Sequence, residues 1–271
     1  MAIALFSAMT VLIRLLTTDI PIHQIIFVRG VASVLLLVPW LTSQGVRSLE
    51  TRRFGLLMGR GLLTSIGLVT WIYAIARIPL AEAVALHFTL PLFGILLAAY
   101  FLKEKLDIHR WAVTLVGFLG TLVILRPGAE AIEMISIIVL LSALAYAGTG
   151  IQTKILVRTE TSAAIVFYVS AFTAVAFAIP SYFQWAEPTL AQWAMLIGVA
   201  VLNVAAQSCM NRAFKAADAG FVLPFDFLRL PFAVVAGYFL FTETPDLWTI
   251  LGAAIIFGAT YYNTRVGRSH D

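Results

Sequence analysis

Asp226 and Arg229 stand three residues apart in an otherwise apolar run, with Pro224 before them and Pro231 after. On a helix that spacing puts a carboxylate and a guanidinium on one face, close enough to pair. Each proline removes a backbone donor and frees carbonyls, as in a bent helix beside a cavity. His87 lies in an earlier apolar run, one turn before Pro91. A carboxylate and an imidazole can hold a substrate amine or hand over a proton. The guanidinium can hold a carboxylate or neutralise Asp226. The competing reading is an internal pair that only fixes packing, with His87 hydrogen-bonded to a neighbouring helix.

Other polar side chains interrupt apolar runs. Arg29 lies a few residues into its run, within reach of the surface by snorkelling. Arg60 lies at similar depth, and its neighbours Gly59 and Gly61 permit close backbone approach. Either arginine touches substrate, gates a cavity, or anchors a helix end. Asn203, Gln207 and Asn211 recur every four residues as one polar stripe, which lines a cavity or bonds to an adjacent helix. Trp71 could stack on a planar ligand or sit at a membrane interface. Tyr146, Gln152 and Tyr168 are further cavity candidates. No His-rich cluster, phosphate-binding glycine loop or nucleophile elbow occurs, so the sequence predicts no enzyme, no metal and no cofactor. The single cysteine, Cys209, allows no intrachain disulfide.

These residues must be positioned by elements immersed in lipid. The 271 residues are 61% hydrophobic and 12% charged, against about 25% charged in soluble domains. A net charge of +4 suggests no nucleic acid, because the basic residues lie in short loops rather than on one face. Ten apolar segments are legible, at 2–17, 25–41, 55–76, 80–102, 108–125, 134–153, 163–184, 191–212, 219–240 and 247–264. Most reach the roughly 20 residues needed to span a bilayer; the first two are short. Segments apolar on all sides argue for helices over a β-barrel. No basic flank or cleavage site marks segment 1 as a signal peptide, so it reads as a true first helix.

With ten helices, twelve of the eighteen basic residues fall on one side, including Arg47, Lys105, Lys154, Arg212 and Arg265. That side is predicted to be cytoplasmic, and both termini with it. The chain also repeats at an offset of 139 residues: Gly59 falls on Gly198, Ala74 on Ala213, Glu104 on Glu243, and His87 on Asp226. The same register puts Ala4 on Ala143, Arg29 on Tyr168 and Thr64 on Asn203. Five helices per half make the second copy cross in the opposite sense. The basic loop Lys103–Arg110 has a counterpart, Thr242–Asp246, without basic residues, as inversion requires. Glu104 and Glu243 follow helix ends with Asp107 and Asp246, and read as turn and capping groups. The expected fold is therefore an all-α integral membrane protein of ten transmembrane helices in two inverted five-helix repeats, 1–126 and 133–265. Substrate sites in such carriers lie where the repeats meet.

Phe27-Val28-Arg29, Gly59-Arg60-Gly61-Leu62-Leu63, Leu90-Pro91-Leu92-Phe93, Gly117-Phe118-Leu119-Gly120 and Asp226-Phe227-Leu228-Arg229-Leu230-Pro231, in this order, resemble the drug/metabolite transporter superfamily, in its branch with two EamA-type domains. The first half is similar to bacterial S-adenosylmethionine uptake carriers and, more loosely, to riboflavin carriers. The resemblance implies a ten-helix basket with segments 1–4 and 6–9 around a cavity. Segments 5 and 10 would buttress it or form homodimer contacts. It also implies secondary transport of a small polar or amphoteric metabolite across a bacterial inner membrane by alternating access. Proton coupling is expected from Asp226 and His87. The alternatives are a gradient-independent facilitator or exporter of amino acids or drugs, or a membrane-embedded enzyme.

Overall fold

The computed structural model describes residues 1–45, 49–103, 108–125 and 134–242, with 247–248, 251–252, 254–255, 258–259 and 262. Among them no strand occurs. The helices are α1 (Ala2–Leu16), α2 (Ile22–Gln44), α3 (Phe54–Ile75), α4 (Leu80–His87), α5 (Thr89–Leu97), α6 (Ile108–Leu125), α7 (Met134–Leu156), α8 (Ser162–Phe183), α9 (Leu190–Ala216), α10 (Ala219–Val222) and α11 (Arg229–Phe241). A π turn (Ala98–Leu102) follows α5, and a 3₁₀ turn (Leu223–Leu228) joins α10 to α11. Five of these helices, α2, α3, α7, α8 and α9, are long and apolar enough to cross a membrane. Glu104, Asp107, Glu243 and Asp246 lie outside the described residues, as do Arg47, Lys105, Arg126, Arg265, Arg268 and half of segment 10.

The second segment is not short. α2 has 23 residues, because the polar His23 and Gln24 are helical although they break the apolar pattern. They serve the far end of α8: Gln24 donates to the Ala186 carbonyl at 2.7 Å and accepts from the Ala186 amide at 2.9 Å. Two basic residues expected in the loop between segments 8 and 9, Arg212 and Lys215, lie within α9. Lys154, also expected in a loop, is buried in the last turn of α7, where Nζ donates to the Phe214 carbonyl at 3.0 Å.

The chain forms two compact units, and each draws on both halves of the sequence. The first comprises Met1–Ala76 and Gln152–Ala216. In it α2 packs along α8, α1 along α9, and both α2 and α3 add to the same assembly. Gly30 makes the α2–α8 approach possible: a Cβ there would stand 2.8 Å from the Ala174 amide nitrogen and 2.9 Å from the Ser170 carbonyl oxygen. A Cβ on Gly61 would meet the Phe172 ring at 2.6 Å. Arg29, Ser33, Arg60, Thr64 and Asn203 are buried, while Leu35, Ile179, Ile197 and Val201 are exposed. Polar inside and apolar outside is the arrangement that lipid demands.

The second unit comprises Arg77–Ile151 and Ala217–Asp271. α4 packs on α6 and α11, and α5 on α6, α10 and the 3₁₀ turn. Each of its two bent rods breaks just ahead of a proline. α4 stops at His87, and Pro91 is the third residue of α5; the 3₁₀ turn stops at Leu228, and Pro231 is the third residue of α11. In a first helical turn the missing N–H costs nothing, so a proline there starts a new helix more readily than it continues an old one. Gly94 leaves room for the Leu223 side chain, which a Cβ would strike, so α5 closes directly on the 3₁₀ turn.

Local geometry recurs along the chain. The turn after α1 and the turn after α7 share hydrogen bonds at positions 140 apart: Thr17 to Ile13 and Val157 to Thr153, then Ile20 to Leu16 and Glu160 to Leu156. Pro21 precedes α2 where Thr161 caps α8 through a bond from the Ala164 amide. These matching bonds lie one residue further apart than the offset of 139 read from the sequence. An offset of 140 puts Val169, not Tyr168, at the position of Arg29, and Leu144, not Ala143, at the position of Ala4.

Candidate substrate site

In the first unit the polar side chains form one connected group, built from residues four apart on helices. Arg29 and Ser33 share a face of α2, Arg60 and Thr64 a face of α3, Val166 and Ser170 a face of α8, and Asn203 and Gln207 a face of α9. Arg29 donates to Asn203 Oδ1 at 3.1 Å, and Asn203 Nδ2 donates to Ser33 Oγ at 3.1 Å. Arg60 Nε donates to Thr153 Oγ1 at 2.8 Å and its terminal nitrogen to Gln207 Oε1 at 3.1 Å. A small cavity lies among Arg29, Arg60, Thr64, Val166, Val169, Ser170, Asn203 and Gln207, with space of the order of one water molecule. Arg29 is buried and bonded to α9, so it does not snorkel.

Gly59 and Gly61 flank Arg60 as the close approach requires: a Cβ on Gly59 would stand 3.2 Å from Gln152 Nε2. Asn211, third in the polar stripe, donates to Ser162 Oγ at 3.1 Å and so ties α9 to the start of α8. Tyr168 is a peripheral anchor, its hydroxyl donating to the Leu49 carbonyl at 2.7 Å and its ring set edge-on to Phe54. Trp71 is buried in α3 and is not among the side chains that line the cavity. Ser33, Thr153 and Ser170 were not singled out from the sequence. The four-residue steps from Arg29 to Ser33 and from Val166 to Ser170 could have found two of them; no local signal marks Thr153.

In the second unit Arg229 Nε meets Asp226 Oδ1 at 2.7 Å. The pair forms across the 3₁₀ turn and not along a continuous α-helix, and three residues per turn set positions i and i+3 directly above one another. Asp226 is buried, and its Oδ2 has no hydrogen-bond partner among the described residues. His87, the last residue of α4, is buried with its ring edge-on to Tyr146 at 5.6 Å and Nε2 3.4 Å from Ser142 Oγ. α4 packs against α11, the helix that Arg229 begins. The nine candidates thus fall into a group of Arg29, Arg60, Asn203 and Gln207, a His87–Tyr146 contact, an Asp226–Arg229 pair, and Trp71 apart. Among the described residues no cluster of His, Cys, Asp or Glu could hold a metal ion.

The sequence matches the EamA-like transporter family twice, over residues 1–126 and 134–265. The chain belongs to this family. It is a multi-pass membrane transporter rather than an enzyme. A riboflavin transporter of Brucella anthropi is 35% identical over 92% of this chain and 89% of that protein. An S-adenosylmethionine uptake transporter of Rickettsia bellii is 32% identical over 94% and 88% of the two chains. A pseudopaline exporter of Pseudomonas aeruginosa is 31% identical over 93% and 89%. One crystal structure, 17% identical, matches with a TM-score of 0.78 over 100% of this EamA-like chain and 98% of that one, which extends the fold across both matched stretches.

Proposed function

We propose that this EamA-like protein is a secondary carrier that moves a small polar or amphoteric metabolite across the bacterial inner membrane by alternating access. The observation that supports it best is the burial of Arg29, Arg60, His87 and Asp226 on helices whose outer faces are apolar. Charges at such depth are retained where they serve a pathway. The relatives are named for riboflavin, S-adenosylmethionine and pseudopaline, all small polar organic molecules. In this reading Asp226 and His87 take a substrate amine or a proton, Tyr146 and Trp71 offer aromatic faces, and Arg229 balances Asp226. Asn203, Gln207, Arg29 and Arg60 offer further polar contacts to the substrate.

The reading includes ten helices as two inverted repeats, 1–126 and 133–265, with both termini cytoplasmic and a homodimer formed through the fifth and tenth helices. The equal hydrogen bonding of the turns after α1 and α7 supports the repeat. Its test is ligand-dependent thermal stabilisation of the purified protein by amino acids, S-adenosyl compounds, nucleosides and flavins, repeated with Asp226→Asn. A stabilising compound lost in the variant is expected. Stabilisation unchanged in Asp226→Asn would remove that residue from the site. A reporter fused after Asp271 and active only in the periplasm would overturn the topology.

A further inference from the structure

We propose that the cavity between Arg29 and Arg60 receives a carboxylate group of the transported molecule. The step from anion site to cargo rests on the transport reading above. Two guanidiniums line this one small cavity, and its other walls are two hydroxyl side chains, two amides and two valines, with no Asp or Glu among them. Two guanidiniums on one cavity inside an apolar bundle favour an anion, because little solvent screens them.

The geometry selects the kind of anion. A guanidinium presents its donors as a planar fork, which matches the two oxygens of a carboxylate. The acceptors seen at 2.8–3.1 Å, Thr153 Oγ1, Gln207 Oε1 and Asn203 Oδ1, are neutral oxygens, each weaker than a carboxylate oxygen. Asn203 and Gln207 can therefore yield their places to an incoming carboxylate and turn their amide N–H groups toward it. The space, of the order of one water molecule, has to be widened by the outward turn of Asn203 and Gln207, and a flat group of two oxygens needs less widening than a tetrahedral phosphate. Gly59 and Gly61 let the α3 backbone on either side of Arg60 approach Gln152 and Phe172, so the backbone that carries Arg60 is held by packing before any ligand arrives.

The test uses the full chain in lipid nanodiscs and reads the unfolding temperature in sodium acetate against sodium chloride at equal ionic strength, at about 100 mM, where mass action reports a weak site. Acetamide is the uncharged isostere and sodium phosphate the tetrahedral anion. Acetate is expected to raise Tm by about 2–4 °C over chloride, acetamide and phosphate not. The rise should vanish in Arg29→Gln and in Arg60→Gln and persist in the exposed control Arg52→Gln. Should a glutamine variant fail to fold, Arg29→Lys and Arg60→Lys decide, since charge without the fork should cut the shift by at least half. An equal Tm in acetate and chloride, a larger shift in phosphate, or a full acetate shift in the substituted proteins would overturn the proposal. The cargo panel separates the two ideas. An acetate shift without any cargo overturns the transport reading and leaves the anion site. Carriage of only carboxylate-free cargo keeps the transporter and overturns the carboxylate role.

Discussion

Lys103 and Thr242, 139 positions apart, adopt the same left-handed backbone conformation, with φ of 54° and 56°, and are the two non-glycine residues with positive φ among those described. Each ends a helical rod of the second unit, Lys103 after the π turn and Thr242 after α11. A side chain in this conformation carries a penalty of about 1–2 kcal/mol. Lys103→Gly and Thr242→Gly should therefore each stabilise the protein, by about 0.5–1 kcal/mol once the added freedom of the unfolded chain is subtracted. Thermal unfolding of the two single variants and the double variant checks this. The two ends are equivalent only if both respond.

The glycines of the first unit should rank by what a methyl group would strike. Gly30→Ala meets backbone atoms of α8, Gly61→Ala meets the base of the Phe172 side chain, and Gly59→Ala meets the movable end of Gln152. Overpacking costs about 1–3 kcal/mol. The expected loss of Tm is largest at Gly30 and smallest at Gly59. A reversed order would mean that α2 and α8 can separate freely.

Breaking the Asp226–Arg229 pair by Asp226→Leu alone should destabilise by about 1–3 kcal/mol, since it takes a charge-assisted hydrogen bond from a guanidinium only 17% exposed. The double change Asp226→Leu with Arg229→Met should recover most of that loss. If the pair only holds the fold, the double variant keeps transport. The proposed site predicts a stable protein that transports less than a tenth as fast, measured by uptake into proteoliposomes.

Proton coupling through Asp226 and His87 predicts that an acid-inside or acid-outside gradient accelerates uptake in the wild type. In the variant carrying Asp226→Asn and His87→Gln, uptake should become independent of the gradient. Preserved gradient dependence in that variant would remove both residues from the proton route.

What could be read from the sequence was local. The i, i+3 spacing of Asp226 and Arg229 and the four-residue steps of Asn203 and Gln207 each fix a shared face whatever surrounds them, and both appear in the structure. What could not be read was pairing across distance: nothing near Arg60 announces Thr153, 93 residues later. The bend between Pro224 and Pro231 was legible, but not its 3₁₀ winding, since nothing from Asp226 to Leu228 favours one helix type over the other. Offsets of 139 and 140 compete over the first two helices, because small apolar residues match one another almost as well when displaced. At the shorter register Arg14 faces no cation, whereas at 140 it stands over Lys154, a match that the alanines outvoted.

The broken rods also change what mutagenesis can see. Pro91 and Pro231 offer no amide hydrogen to the carbonyls of His87 and Phe227, four residues earlier. An alanine scan of the neighbours leaves both breaks in place, because what interrupts the rods is a ring nitrogen of the main chain and not a side-chain contact. Replacing the prolines, which returns a backbone donor at each position, is the change that would let the rods run on.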